Sequence, residues 1–313
     1  MSRHLSSVRV AISNLSRCGE GVFNLKISII GAGRVGQTIG RLARLAGYEI
    51  TDVVCRSRRS SVAAVRFIGA GNPQQAARVR LSPSDLILIA TPDDRISEAV
   101  ELVMNNASSV SRAVALHTSG AIASDVLDRL HERGLATGSC HPLQTFESPA
   151  RALELAGRSY FCIEGEPRAV LAARRLVRRI GARYFEIPTE MKSLYHAAAV
   201  MASGGVVALL SISLELLERC GLSGVESKKV LMPLVEGTVG NVSAVGPALA
   251  LTGPVRRGDA GTVRRNMKSI ADVSSDWLEV YRQLAARSLT LAERAKINDK
   301  SLDEVRKALG IKQ

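Results

Sequence analysis

Residues 26–36 read Lys26-Ile27-Ser28-Ile29-Ile30-Gly31-Ala32-Gly33-Arg34-Val35-Gly36, and the chain then runs on with an amphipathic pattern to Ala46 before Gly47 interrupts it. A short apolar run, a glycine-rich turn and an amphipathic helix, in that order, predict the opening of a βαβ unit. Each glycine answers a separate demand. Gly31 allows the tight turn, Gly33 lets a ligand approach the backbone, and Gly36 lets the helix lie close on the strand. A helix that starts there offers free N–H groups and the positive end of its dipole to an anion. Gly31, Ala32, Gly33, Arg34, Val35 and Gly36 are therefore the expected cradle for the diphosphate of a dinucleotide.

The same alternation continues outward from this loop. Ile50–Cys55, Leu86–Ala90 and Ala113–His117 read as strands, with shorter ones near 136–140, 160–163 and 183–187, and helical stretches fall between them. Strands separated by helices predict a doubly wound parallel sheet of the Rossmann type. From about Pro188 the strand signals stop, and helices are expected at 190–219, 225–240, 258–286 and 301–309. The expected division is an extension at 1–24, a nucleotide-binding domain at 25–150, a connecting α/β segment at 151–188 and a helical domain at 189–313.

The end of the second strand distinguishes the two nicotinamide cofactors. An NAD site usually places an acid there, about 20 residues after the glycines. This chain instead carries Arg56, Ser57, Arg58 and Arg59, which suit a 2′-phosphate, while Asp52 precedes the strand end. NADPH is the expected cofactor. Thr91 and Pro92, and likewise Thr118, Ser119 and Gly120, follow later strands at the edge where such ligands sit, although a turn signal alone would also explain Pro92.

Composition narrows the partners. Hydrophobic residues make up 46% of the 313 and aromatics 4%, so Ala, Val, Leu and Ile must build the core. The net charge of +13 is spread along the chain, without the interleaved aromatics a nucleic-acid binder would add. Its one cluster, Arg174, Arg175, Arg178, Arg179 and Arg183, alternates with Leu171, Leu176, Val177 and Ile180 and reads as the solvated face of a helix. Neither nucleic acid nor membrane is expected as a partner. Cys18, Cys55, Cys140, Cys162 and Cys220 form no CxxC pair, and His4, His117, His131, His141 and His196 are dispersed, so buried reduced thiols and no metal are expected. Residues 197–214 carry no charge. Their Ala, Ser and Gly content reads as a helix buried on all sides, at a dimer interface, in a cytoplasmic homodimer.

Five segments, GAGRVG (31–36), LHTSGA (116–121), CHPLQTF (140–146), MKSLYHAAAVMASG (191–204) and LTGPVRRGD (251–259), carry a wider resemblance. Together they resemble a two-domain bacterial family with a Rossmann-like half and a helical C-terminal domain of unknown function. That family is similar to ketopantoate reductase, pyrroline-5-carboxylate reductase and the β-hydroxyacid dehydrogenases. The resemblance implies an NADP-dependent oxidoreductase, in some members linked to pantothenate synthesis. It also implies a lysine followed four residues later by asparagine on the first helix of the helical domain. Lys192 fits the lysine, and His196 stands in place of the asparagine.

At a spacing of four residues both project from one helical face. Lys192 would protonate or stabilise the developing alkoxide, and His196 would orient it, bond the substrate or replace it as the acid. The alternative is a surface lysine and a core histidine. Ser119 corresponds to a substrate-contacting turn residue, and His141, Asn241 and Arg257 complete the candidates. Arg257 would pair with a substrate carboxylate, unless Arg257–Asp259 is a helix-capping turn with Asp259 as N-cap. The expected activity is reduction of a small oxo acid, with 2-dehydropantoate first among substrates. Reduction of a C=N bond and a non-catalytic NADP-binding role are the alternatives.

Overall fold

The computed structural model describes residues 25–106, 110–295 and 299–311, so the extension expected at 1–24 lies outside the described residues. Eight strands form one sheet: β1 (Lys26–Ile30), β2 (Glu49–Cys55), β3 (Asn72–Gln75), β4 (Leu86–Ile89), β5 (Val114–His117), β6 (Ala136–Leu143), β7 (Tyr160–Gly165) and β8 (Arg183–Glu186). Their spatial order is β3-β2-β1-β4-β5-β6-β7-β8. The strand order reverses at β1, the switch point of a Rossmann-type sheet.

The central strands, such as β1 and β4, are near-continuous apolar runs because both faces of the sheet are covered there. Ile27, Ile29, Leu86, Leu88, Val114 and Leu116 point to one side. There they meet α1 (Arg34–Leu45), α2 (Arg58–Ile68) and α6 (Pro167–Arg179) through Ile39, Leu42, Ala64, Ile68, Ala173 and Leu176. Ile30, Ile87, Ile89 and Ala115 point to the other side, against Val100 and Val103 of α3 (Ile96–Met104) and Leu130 of α4 (Asp128–His131). A further short helix, α5 (Pro149–Leu155), lies between β6 and β7.

One pairing departs from the expected parallel sheet. β6 and β7 run antiparallel, whereas the other neighbouring strands are parallel. The pairing begins at Gly138 opposite Gly165. Gly165 has φ +124°, and a Cβ on it would lie 2.5 Å from the Gly138 Cα, so only glycine fits this crossing. From that fixed point the register sets Ser139 opposite Glu164 and His141 opposite Cys162. The segment expected to be a connector therefore contributes β7 and β8 to the same sheet and α6 to its face.

Two compact units divide at Gly204/Gly205, later than the boundary expected at Pro188. The helix expected over 190–219 is interrupted at Ser203 (φ −113°, ψ −77°), giving α7 (Lys192–Ala202) and α8 (Gly204–Arg219). The second unit continues with α9 (Gly224–Ala250), α10 (Gly253–Arg256), α11 (Ala260–Ala271), α12 (Ser275–Arg294) and α13 (Asp299–Leu309). The single helix expected over 258–286 is thus two, because Ser274 caps a new start by accepting from Trp277 N. Val255, Val263, Leu289, Leu302 and Val305 form this unit's core.

Within the single chain the uncharged stretch is not buried on all sides. Thr189–Arg219 is long and apolar enough to cross a membrane; its most apolar 18 residues have a mean hydropathy of 2.0, and none of that window is buried within the chain. Cys55, Cys140 and Cys162 are buried as expected, but Cys220 is exposed. Leu171, expected to pack inward, is also exposed.

Candidate functional site

The glycine loop has the geometry its sequence requires. Gly31 adopts φ +86°, and a Cβ there would meet Thr91 N at 2.6 Å. A Cβ on Gly36 would lie 2.7 Å from the Gly31 carbonyl oxygen, so close helix–strand packing accounts for that position. Gly33 differs: a Cβ there would enter open space, with no atom within 4 Å. Gly33 is also the N-cap of α1, whose first turn contains no acid and whose cap makes no side-chain hydrogen bond. Unfilled N–H groups beside an open, side-chain-free approach fit the diphosphate of a dinucleotide. Ala32 is buried under the loop, Val35 is half-buried, and the exposed Arg34 donates to Phe146 O at 3.3 Å.

At the end of β2, Arg56 and Arg58 are exposed and Ser57 caps α2, its Oγ accepting from Ser60 N at 3.2 Å. Asp52 is fully buried within β2 and consumed there. It accepts from Gln74 Nε2 at 2.5 Å, Asn72 Nδ2 at 3.3 Å and Ser82 N at 2.7 Å. A carboxylate so engaged is not available to a ribose hydroxyl. Thr91 follows β4 with its Oγ1 buried and unpartnered against the glycine loop, while Pro92 is exposed at the following turn. Thr118 is half-buried just after β5 and donates its N–H to Ile89 O at 3.0 Å.

A second group of polar residues lies within the first unit around Lys192, whose side chain is only 1% exposed. Its Nζ donates to Ser139 Oγ at 2.5 Å and stands 3.6 Å from Glu164 Oε1. The Glu164 side chain is fully buried, and its Oε2 accepts from Ser124 Oγ at 2.7 Å and Thr189 Oγ1 at 3.0 Å. Thr189 lies in the short turn that leads into α7, so one carboxylate holds both the entry to this helix and its first residue. One turn on, Tyr195 OH bonds His141 Nδ1 at 2.7 Å. The His141 and His196 rings meet edge to face at 5.9 Å. Both rings press on Gly120, where a Cβ would lie 2.5 Å from His196 Nδ1 and 2.7 Å from His141 Nε2.

Burial governs the charges here. It holds His117 down to about 3 and His141 to about 4, with the Lys192 charge adding to both. It raises the Cys140 thiol to about 12, the Cys162 thiol to about 11 and the Tyr195 phenol above its ordinary value. Burial also lowers Lys192, and Glu164 opposes that shift. Near neutrality the imidazoles of His117 and His141 are therefore uncharged.

The structure therefore gathers four sequence candidates, Lys192, His196, Ser119 and His141, into one group. Ser119 contributes differently from expectation. Its Oγ accepts from Ala121 N and Ile122 N, which shapes the loop, and its carbonyl accepts from Ser139 Oγ at 3.4 Å. Asn241 and Arg257 belong to the second unit and are exposed there, outside this group. Asp259 is the N-cap of α11, accepting from Thr262 N at 2.9 Å, which decides the capping alternative in that segment. Sequence reading missed Glu164, Ser139, Tyr195 and His117. The first two become visible only through the β6–β7 register, whereas Tyr195 stood between two named candidates.

These features define a doubly wound α/β protein with a helical second half. A Rossmann-like domain matches residues 17–142, and a domain of unknown function, DUF2520, matches residues 159–288. The chain is thus a Rossmann-like domain joined to a DUF2520 domain. No curated protein matches it in sequence. Among solved structures it is similar to protein TM1727 of Thermotoga maritima, at 23% identity and TM-score 0.70, covering 86% of this chain and 99% of that one. It is also similar to BF3122 of Bacteroides fragilis, described as a candidate NADP oxidoreductase, at 22% identity and TM-score 0.69 over the same shares. The pyrroline carboxylate reductase of Plasmodium falciparum, solved with NADP bound, shares the fold at 14% identity and TM-score 0.52, covering 90% and 98%.

Proposed function

We propose that this protein is a cytoplasmic NADPH-dependent reductase of a small oxo acid, acting as a homodimer. The observation that carries the reading is the uncapped start of α1 beside Gly33, where the missing side chain leaves room for a diphosphate. Arg56, Arg58 and Ser57 would hold the 2′-phosphate, since Asp52 is occupied inside the sheet. Thr91, with its unpartnered hydroxyl, and Thr118 would border the cofactor from neighbouring strand ends. Two of the structural relatives are described in terms of NADP, which supports the same cofactor here.

When bound, NADPH supplies a hydride. The chain's task is to stabilise and protonate the substrate oxygen as negative charge develops on it. Lys192 provides fixed positive charge from beneath the site. His196, half-buried and with Nδ1 unpartnered in the protein, would deliver the proton. 2-Dehydropantoate is the first substrate to test. The depth of Lys192 favours a second reading, reduction of a C=N bond, which needs a lysine acid less.

NADPH consumption measured over a panel of oxo acids and cyclic imines tests both readings. Oxo-acid turnover should fall by about 10²-fold or more in Lys192→Ala with little change in cofactor affinity, because that charge acts mainly as the oxygen becomes negative. Imine turnover that survives Lys192→Ala would select the second reading. Absence of turnover across both panels would remove both.

A further inference from the structure

We infer that Glu164 is a positioning residue for this site, holding the Lys192 ammonium against Ser139 and thereby fixing the turn of α7 that presents Tyr195 and His196. The inference rests on the proposed reductase reading for its catalytic consequence, and on geometry alone for the positioning.

A buried carboxylate is costly unless hydrogen-bonded and paired with a cation. Glu164 satisfies that condition asymmetrically. Ser124 and Thr189 donate to Oε2, whereas Oε1 faces Nζ at 3.6 Å and makes no hydrogen bond. The hydroxyls fix the carboxylate plane, so the ammonium is drawn toward Oε1 while it donates to Ser139 Oγ. Ser139 lies opposite Glu164 in the β6–β7 register. The ammonium is therefore restrained by groups from two strands and cannot swing outward without leaving a buried charge unpaired. The aromatic ring of Tyr195 lies 6.0 Å from Nζ, and its hydroxyl is tied to His141, so the restraint extends to both imidazoles on Gly120.

The groups facing Lys192 are Glu164 and Cys162 on β7, Cys140 and His141 on β6, His117 on β5 and Tyr195 on its own helix. Burial keeps both thiols and the phenol protonated, and the Glu164 carboxylate is the main opposition to the burial that lowers Lys192. Replacing that carboxylate with an amide removes most of the opposition to desolvation, so Lys192 should lose its proton at lower pH.

The test uses the full chain with NADPH, in the wild type and in Glu164→Gln, Glu164→Asp and Lys192→Met. Heteronuclear NMR of the Lys192 side chain, assigned by its loss in Lys192→Met, reads the titration without any turnover. In Glu164→Gln the midpoint should move down by about one pH unit or more, and Glu164→Asp should restore part of it. Where turnover is measurable, the alkaline limb of the kcat profile should move with it while cofactor affinity stays within about twofold. If Glu164→Gln does not fold, the pair variant Glu164→Gln/Lys192→Met should fold, because it removes both buried charges together. An unmoved Lys192 titration, or a pair variant no more stable than Glu164→Gln alone, overturns the inference. A shifted titration in a protein that reduces nothing would sustain the positioning and reject the reductase reading instead.

Discussion

His117 and His141 are kept neutral by burial and by Lys192, and this neutrality has a direction in pH. Their values in the fold, about 3 and about 4, lie below the ordinary histidine value of about 6.5. The unfolded chain therefore takes up these protons first as the solution is acidified. Stability contributed by the neutral imidazoles is present above about pH 6.5 and is lost as the pH falls toward about 4, and then toward about 3 for His117. Urea midpoints measured between pH 7 and pH 4 should fall across that window. His141→Gln, which cannot charge, should flatten the slope, and parallel slopes for the two proteins would count against this account. The arginine cluster shows how different a surface charge is. Arg174 pairs with Glu186, and Arg178 and Arg179 lie over the rings of Tyr184 and Tyr48, so these cations pack on α6 and the nearby sheet edge.

At the scale of the element, two glycines of one loop should fail in different ways. Gly31→Ala places a side chain at φ +86° and against Thr91 N, so both folding stability and cofactor binding should drop. Gly33→Val adds bulk where the protein has only open space, so thermal stability should hold while NADPH affinity, followed by fluorescence, falls at least about tenfold. Equal NADPH affinity in Gly33→Val and the wild type would show that the loop is not the cradle. This loop was legible in sequence because its demands are local: a strand, three glycines and a helix within one segment. The Lys192–His196 pair was singled out by the family resemblance, and its spacing of four residues then put both on one face. β3 was not legible. Its residues, Asn72-Pro73-Gln74-Gln75, lack the apolar signature of a strand because two of its amides serve the buried Asp52 of β2. Glu164 was hidden for a related reason. A single acid in an apolar strand acquires meaning only when antiparallel pairing, begun at Gly138 and Gly165, sets it beside Ser139 and beneath Lys192.

At the scale of the molecule, the second unit has a core and, separately, a large uncovered apolar surface. Val255, Val263, Leu289, Leu302 and Val305 close the core, whereas Val207 on α8 and Val225, Leu234, Val239, Val245 and Leu249 on α9 are all more than half exposed. An apolar face of this extent is rarely left to water in a stable protein. Residues 197–214 had been expected at a dimer interface, and their exposure in the single chain is what such an interface requires of each copy. A second copy of the chain is the proposed cover, and light scattering of purified protein should give twice the 33.4 kDa of one chain. Leu234→Asp, at a side chain 68% exposed, should convert the dimer to monomer with little loss of secondary structure, because the substitution touches no packed core. A wild-type protein that remains monomeric at micromolar concentration would remove the dimer. If that monomer co-sedimented with lipid vesicles, the uncharged stretch 197–214 would instead be covered by a membrane.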